Sequence, residues 1–162
     1  MLPFMQSLPR VRPAVKADAP IILSLIRELA SFEKLEHEVT ATVEALQQTL
    51  FGPHPYAEVL LAEADGQIAA FSLFFHNYST FLGKPGLYIE DIYVRPEFRG
   101  RGLGKQLFAE IASLARARQC GRIEWWVLNW NESALEFYKT MGAEPMNQWT
   151  VYRLSQEQFE KM

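Results

Sequence analysis

Hydrophobic and polar positions change period several times along the chain, and each change marks an element. Residues 10–15 read as a first strand. Asp18 stands where it would cap a helix whose first turn holds Pro20 and whose apolar stripe is Ile21, Leu23, Ile26, Leu29 and Ala30. A second helix over about 42–50 ends before Gly52 and Pro53. Residues 56–64 and 67–77 are strand-like and flank Asp65-Gly66, a two-residue hairpin signal. Residues 87–94 predict the next strand, stopped by Pro96. Leu103, Leu107, Ile111, Leu114 and Ala115 then recur at three- and four-residue spacing, which predicts a helix laying one face on the sheet. A strand over 123–128, a short helix over 132–141 with Gly142 at its C-terminal end, a terminal strand over 149–154 and a closing helix over 156–162 complete the series. The alternation, with no internal repeat, predicts a mixed α/β domain.

Composition bounds this picture. The chain has 162 residues, 49% hydrophobic and 13% aromatic, enough for one substantial core, so residues 10–162 are expected to form a single domain. Residues 1–9 lack a basic leader and an unbroken apolar run, so they are not read as a signal peptide; they are expected to be a loose tail or a remnant of start-site choice. A net charge of −3 gives no electrostatic reason to expect nucleic acid as the main partner. With Cys120 as the one cysteine no intramolecular disulfide can form, which makes a reducing cytoplasm the expected compartment. No segment approaches the roughly 20 apolar residues of a membrane span, so no membrane partner is expected.

The most informative stretch is 88–105, where a β-branched and aromatic strand runs into Arg99-Gly100-Arg101-Gly102-Leu103-Gly104-Lys105 and straight into a helix. Glycines there let the backbone approach a ligand, and the first helical N–H groups point at the same place, which suits a phosphate. Gln106 follows Gly104-Lys105 where a Walker loop needs Ser or Thr, and the third glycine comes one residue early for a dinucleotide fingerprint. What remains is Arg99-x-x-Gly102-x-Gly104; the plainer alternative is a basic surface turn that starts a helix.

That pattern resembles the pyrophosphate-binding signature of the GNAT superfamily of acetyl-CoA-dependent N-acetyltransferases. Asn131 to Ala143, with Phe137-Tyr138 four residues before Gly142, is similar to the superfamily's Phe-Tyr-x-x-x-Gly helix. Within the superfamily the chain most resembles the diamine acetyltransferases of the spermidine/spermine and thialysine type. The resemblance rests further on Arg12-Pro13-Ala14, residues 26–30, Leu82-Gly83-Lys84, Tyr88-Ile89-Glu90-Asp91, Trp130-Asn131-Glu132 and Lys139, and spans residue 10 to the C-terminus. It implies a single mixed, mostly antiparallel twisted sheet of six to seven strands flanked by about four helices. Two central strands would splay to form the acetyl-CoA slot. It also implies that backbone at Ile92, Tyr93 and Val94 pairs with pantetheine as an added strand would. The residues Arg99, Gly100, Arg101, Gly102, Leu103, Gly104 and Lys105 would hold the pyrophosphate, and Asn131, Ser133, Tyr138 and Lys139 would contribute from the later helix.

The implied chemistry makes demands of its own. An alkyl amine of pKa about 10.4 is neutral in only about one molecule in two thousand near pH 7, so a base must take its proton. The leaving thiolate needs an acid of high pKa, and the family's acid falls on Tyr138. Its plainer reading is a core tyrosine beside Phe137. Glu90 is the expected proton acceptor, through a water, because alternation in an unbroken strand sets it on the face of Tyr88 and Ile92. Asp91 then points the other way unless a bulge re-aims it toward the substrate. Cys120 lies near no histidine in sequence and is read as a small structural thiol. His37, His54 and His76 show no ligand spacing, so no metal is expected.

For the amine, the acidic run Glu28, Glu33, Glu36 and Glu38 suits a cation, or is an ordinary solvated helix end. The resemblance selects Phe32, Glu33, Phe81 and Trp149 with Glu90 and Asp91 as substrate contacts. Ser79, Thr80, Asn147 and Gln148 replace acidic or aromatic positions of the polyamine enzymes. Losing two carboxylates disfavours spermine and favours a shorter diamine, lysine-like or thialysine-like amine. Two other classes stay open: a protein N-terminal or lysine acetyltransferase, and a non-catalytic coenzyme A sensor. The resemblance also implies a homodimer, with the aromatic segment 149–152 as interface.

Overall fold

The computed structural model describes residues 9–162. They fall into two compact units, one ending at Trp126 and one beginning at Val127. The expected tail therefore lies almost wholly outside the described residues.

The first unit is built on an open five-stranded sheet in the order β1-β2-β3-β4-β5, comprising β1 (Arg10–Pro13), β2 (Glu58–Ala64), β3 (Gln67–Ser79), β4 (Lys84–Val94) and β5 (Ile123–Trp125). Its first four strands are antiparallel neighbours, and β5 joins β4 in parallel. Five strands stand where six to seven were expected. The missing one is the predicted terminal strand, since 149–154 has no strand among the described residues. The β2–β3 hairpin turns at Asp65 (φ 52°) and Gly66 (φ 73°), the left-handed pair that matches strand twist in a two-residue loop.

Helices α1 (Ala19–Phe32) and α2 (Val43–Phe51) cover one face. Ala19, Ile22, Leu23, Leu25, Leu46 and Leu50 close there over Val59, Leu61, Phe71 and Tyr93. The buried face of α1 centres on Ile22 and Leu25, while Ile21, Ile26 and Leu29 sit at its margin. Asp18 precedes α1 as expected, but its carboxylate binds Arg12 at 2.8 and 3.0 Å and the Val15 N–H at 2.8 Å instead of capping the helix. Thr42 does cap α2, accepting from the Ala45 N–H.

The crossover from β4 to β5 contains a 3-10 turn at Pro96–Phe98 and helix α3 (Leu103–Ala117). Leu103, Leu107, Phe108, Ile111 and Ala115 are its buried side chains, and Phe108 meets Trp125 edge-on at 5.1 Å between centroids. Cross-strand partners share a face, so Ile89, paired with Trp125, belongs to the α3 side. This topology sets the N-terminus of α3 just beyond the carboxyl end of β4, where open α/β sheets bind ligands.

The second unit carries α4 (Glu132–Thr140) and α5 (Gln156–Phe159). Asn131 caps α4 through the Ala134 N–H at 3.2 Å, and Gly142 at φ 79° ends it, donating to Lys139 O. No helix among the described residues is long and apolar enough to cross a membrane.

Candidate active site

The centre of the site is an irregularity in β4. Leu73 pairs with Asp91 but Phe74 pairs with Ile89, so Glu90 is an extra residue, a β-bulge. The bulge changes the parity of the strand. Phe71, Leu73 and Phe75 alternate onto the α1 side of β3, and their partners Tyr93, Asp91 and Tyr88 lie on that side with them. Ile92 and Ile89 take the other. The expectation that Glu90 shares a face with Tyr88 and Ile92 assumed an unbroken strand and is corrected here. Asp91 is the residue brought beside Tyr88, with Phe75 and Tyr88 in tilted contact at 5.2 Å. Ser72, fully buried, donates its Oγ to the Asp91 carbonyl at 2.9 Å and steadies the bulge.

The two carboxylates now differ in setting. Glu90 is exposed. The Asp91 carboxyl is pushed up to about 7, by burial first and then by the neighbouring charges of Glu90 and Glu33. Burial also raises Glu33, at the end of α1. An acid that is half ionised near neutral pH can exchange protons with an amine under working conditions, which an ordinary aspartate does poorly.

Beyond the bulge, β4 has an open edge. Strand β5 pairs with it only from Leu87 to Ile89, and no described strand pairs with that edge from Glu90 to Val94. The Arg95 N–H bonds to Ala69 O at 2.9 Å, which fixes Arg95/Ala69 as a hydrogen-bonded antiparallel pair and, two residues back, Tyr93/Phe71. Ile92 and Val94 therefore turn their backbone groups to the open side. Tyr93 does not; its amide serves β3 and its side chain is core.

This edge leads into the glycine turn. Gly100 (φ 73°) and Gly102 (φ 81°) adopt the left-handed region, and a Cβ built on either would meet nothing within 4 Å, so the turn opens to solvent. Gly104 is already inside α3, and Leu103 is buried, so these two can offer only backbone N–H groups. Lys105 is exposed. Arg101 is committed elsewhere: its guanidinium forks onto Asp65 at 2.7 and 3.1 Å and lies over Phe98. Arg99 donates Nε–H to the Val94 carbonyl at 3.0 Å and rests its guanidinium 5.0 Å from the Phe32 ring centroid and 5.7 Å from that of Tyr93.

Of the acidic run, only part is available to a substrate. Glu28 forks onto Arg95 at 2.7 and 3.0 Å, which holds its carboxyl below the usual range and ties α1 to the end of β4. Glu36 and Glu38 are exposed on a 3-10 turn. Phe32 and Glu33 stay at the site. Phe81, at the tip between β3 and β4, is 95% exposed. Cys120 lines a shallow cleft with Lys84, Arg116 and Arg118 at the other end of α3, well apart in sequence from the glycine turn.

In the second unit, Tyr138 lies in the C-terminal half of α4 with its ring 5.6 Å from that of Phe137. The Asn131 side chain is used as the helix cap, Lys139 pairs with Glu136 at 2.6 Å, and Ser133 is exposed in the first turn. Trp149 is 72% exposed in a turn whose N–H bonds to Met146 O. Sequence reasoning missed the Arg99–Phe32 contact, which joins residues of two elements far apart in the chain and leaves no local pattern.

The open β4 edge, the bulge and the glycine turn all lie within the segment that a family comparison matches. Residues 23–143 match the Acetyltransferase (GNAT) family. The chain belongs to the GNAT acetyltransferases. It is 36% identical to the thialysine N-epsilon-acetyltransferase of Bos taurus, covering 94% of this chain and 95% of that one. It is 34% identical to an L-ornithine N5-acetyltransferase of Arabidopsis thaliana, over 90% and 84% respectively. An integron cassette protein from the mobile metagenome of V. cholerae superposes with a TM-score of 0.79 at 22% identity, covering 94% and 96%. An aminoglycoside acetyltransferase from an uncultured soil metagenomic sample gives 0.76 at 20%, covering 91% and 97%. These two structures agree with the fold. As a GNAT enzyme the chain is an N-acetyltransferase.

Proposed function

We propose that the enzyme moves the acetyl group of acetyl-CoA directly to a primary amine of a small cationic molecule while both are bound. The observation that carries this reading is the β4 edge left open beyond Ile89, its outward amides at Ile92 and Val94 leading to the N-terminus of α3. The residues present suit the cofactor: Ile92 and Val94 would pair with pantetheine, and Gly100, Gly102 and the N–H groups of Leu103, Gly104 and Lys105 would take the pyrophosphate. Acetyl-CoA, when bound, supplies the activated acyl group.

The protein's part is to hold the amine and handle two protons. Glu33, Asp91 and the Phe32 ring favour a cation, and Asp91, in place of the expected Glu90, is the proposed proton acceptor. Its raised pKa matches that task, while Glu90 contributes negative charge beside it. Tyr138 is the proposed donor to the leaving sulfur, on its place in the Phe137-Tyr138 motif. As the amide bond forms and the C–S bond breaks, the ammonium gives up two protons, one to the Asp91 carboxylate and the other to the Tyr138 phenolate, which has passed its own proton to sulfur.

Short amines fit best. The named activities of the relatives concern thialysine and ornithine, and the present carboxylates are few for a polycation. We further propose a homodimer, since Trp149, Val151, Tyr152 and Leu154 are all more than half exposed. The test of function is thiol release from acetyl-CoA across spermine, putrescine, ornithine, lysine, thialysine and a basic peptide. Release driven by the short amines is expected. Faster turnover of spermine by kcat/KM would overturn the substrate class, and coenzyme A binding with no release for any amine would favour a sensor.

A further inference from the structure

Three arginines flank the glycine turn, and they are held in different ways. Arg95 and Arg101 each fork onto a carboxylate, Glu28 and Asp65. Such charge-assisted, two-point contacts are the strong ones among side-chain hydrogen bonds. Arg99 has no carboxylate partner among the described residues. Its one hydrogen bond is Nε–H to the neutral Val94 carbonyl at 3.0 Å, and its guanidinium otherwise rests on Phe32 and Tyr93. It is exposed, and contacts of this kind at exposed sites are weak. The Arg101–Asp65 fork lies at the surface and is weak as well. Arg99 alone among the three, however, lacks a carboxylate among the described residues and rests on Phe32 and Tyr93, so it is the arginine of the turn whose movement would uncover those rings.

Both groups it touches have another use. The Val94 carbonyl points to the open side of β4 and is an acceptor that an added strand, or a pantetheine amide, would take. The Phe32 and Tyr93 rings already seat a cation here, and a substrate ammonium competes for that seat. Two cations cannot share one ring face at van der Waals distance without strong repulsion.

We propose that Arg99 is a positioning residue that couples the two substrate sites: it covers the amine's aromatic seat until acetyl-CoA takes the Val94 carbonyl and offers its pyrophosphate to the guanidinium. The proposal rests on the functional reading above. The coupling it gives is positive. Acetyl-CoA gives Arg99 an anionic partner at the turn it belongs to, Arg99 leaves Phe32, and the ring face receives the amine beside Glu33 and Asp91. Binding free energies are reciprocal, so the amine must tighten coenzyme A by the same factor. Such couplings typically amount to about 5–150-fold.

The test uses the full chain, coenzyme A as the unreactive cofactor, and radiolabelled ornithine or thialysine, whichever supports thiol release. Equilibrium dialysis of the amine with and without saturating coenzyme A should give at least about a fivefold difference in Kd. Calorimetry of coenzyme A with and without the amine should return the same factor. In Arg99→Gln the amine should bind without coenzyme A as tightly as it binds the wild type with it, and the coupling should fall below about twofold. Arg99→Lys keeps a charge for the pyrophosphate but not the flat stacking group, so it should retain coenzyme A better than Arg99→Gln while losing most of the coupling. Equal amine Kd in the two wild-type titrations would overturn the coupling and leave the transferase intact, and should either variant fold poorly, that wild-type pair decides alone. Failure of every amine to release thiol would overturn the functional reading and this inference with it.

Discussion

At the scale of single residues, the bulge at Glu90 decides which carboxylate shares a face with Tyr88 and Tyr93. Asp91 has a folded-state pKa of about 7 against an ordinary value of 3.8, so between those values the folded chain holds more protons than the unfolded one. Stability therefore falls as pH rises through that window and levels off above it; the contribution is fully present only in acid. Asp91→Asn removes the buried charge. It is expected to be more stable than wild type by roughly 2–4 kcal/mol at pH 8, with the advantage shrinking toward pH 4, as urea unfolding at the two pH values would read. The same change should cost about 10²–10⁴ in kcat/KM and remove the limb near pH 7 from the pH–rate profile, whereas Glu90→Gln should lose far less. A Glu90→Gln enzyme that is the more disabled of the two would return the base to Glu90. Gly102 makes a second local case. At φ 81° with open space where a Cβ would stand, Gly102→Ala meets strain but no clash, so a loss of about 1–2 kcal/mol is expected in thermal unfolding, together with weaker coenzyme A binding.

At the scale of elements, the legible parts were those written in local periodicity. The α3 stripe, the Asp65-Gly66 hairpin, the α2 boundaries and the Gly142 stop are each fixed by neighbours in sequence, and each stands within a residue or two of its expected place. The bulge stood only as the alternative that would re-aim Asp91, because Ile89-Glu90-Asp91-Ile92 contains no glycine or proline and an inserted residue shows only against the partner strand. The glycine turn was readable as a motif, but the partner of each arginine depends on long-range register: Arg95 with Glu28, Arg101 with Asp65, Arg99 with Phe32. Asp18 was assigned to a helix cap for the same reason, since Arg12, its actual partner, reaches it from β1. The Arg95–Glu28 clasp also carries an expectation. It fastens α1 one turn before Phe32 and Glu33, and both side chains are largely shielded, at 17% and 32% exposure. Glu28→Gln should cost about 1.5–3 kcal/mol, a fall in Tm of about 3–12 °C, and raise KM for the amine more than it lowers kcat. A double-mutant cycle with Arg95→Met separates the pair from each side chain's other contacts.

At the scale of the whole molecule, the segment that departs most from expectation is 149–154. Trp149-Thr150-Val151-Tyr152 is rich in the β-branched and aromatic residues that strands favour, yet it forms no strand among the described residues. β-propensity chiefly measures packing against neighbours, so such a sequence can stay irregular when it is paired with nothing. Trp149 at 72%, Val151 at 54% and Tyr152 at 91% exposure leave a run of apolar surface that a second copy could cover by receiving the segment as an added strand. The dimer proposed above should then dissociate on dilution in sedimentation velocity. Val151→Pro tests the mode of association as well as its existence. Proline removes one ladder N–H and fixes φ, which an exposed irregular segment tolerates but a paired strand does not. The variant should therefore keep the wild-type far-ultraviolet spectrum and coenzyme A affinity while sedimenting as a monomer. If it remains a dimer, strand addition through this segment is wrong; if wild type is a monomer at every concentration, the exposed aromatics need a different partner.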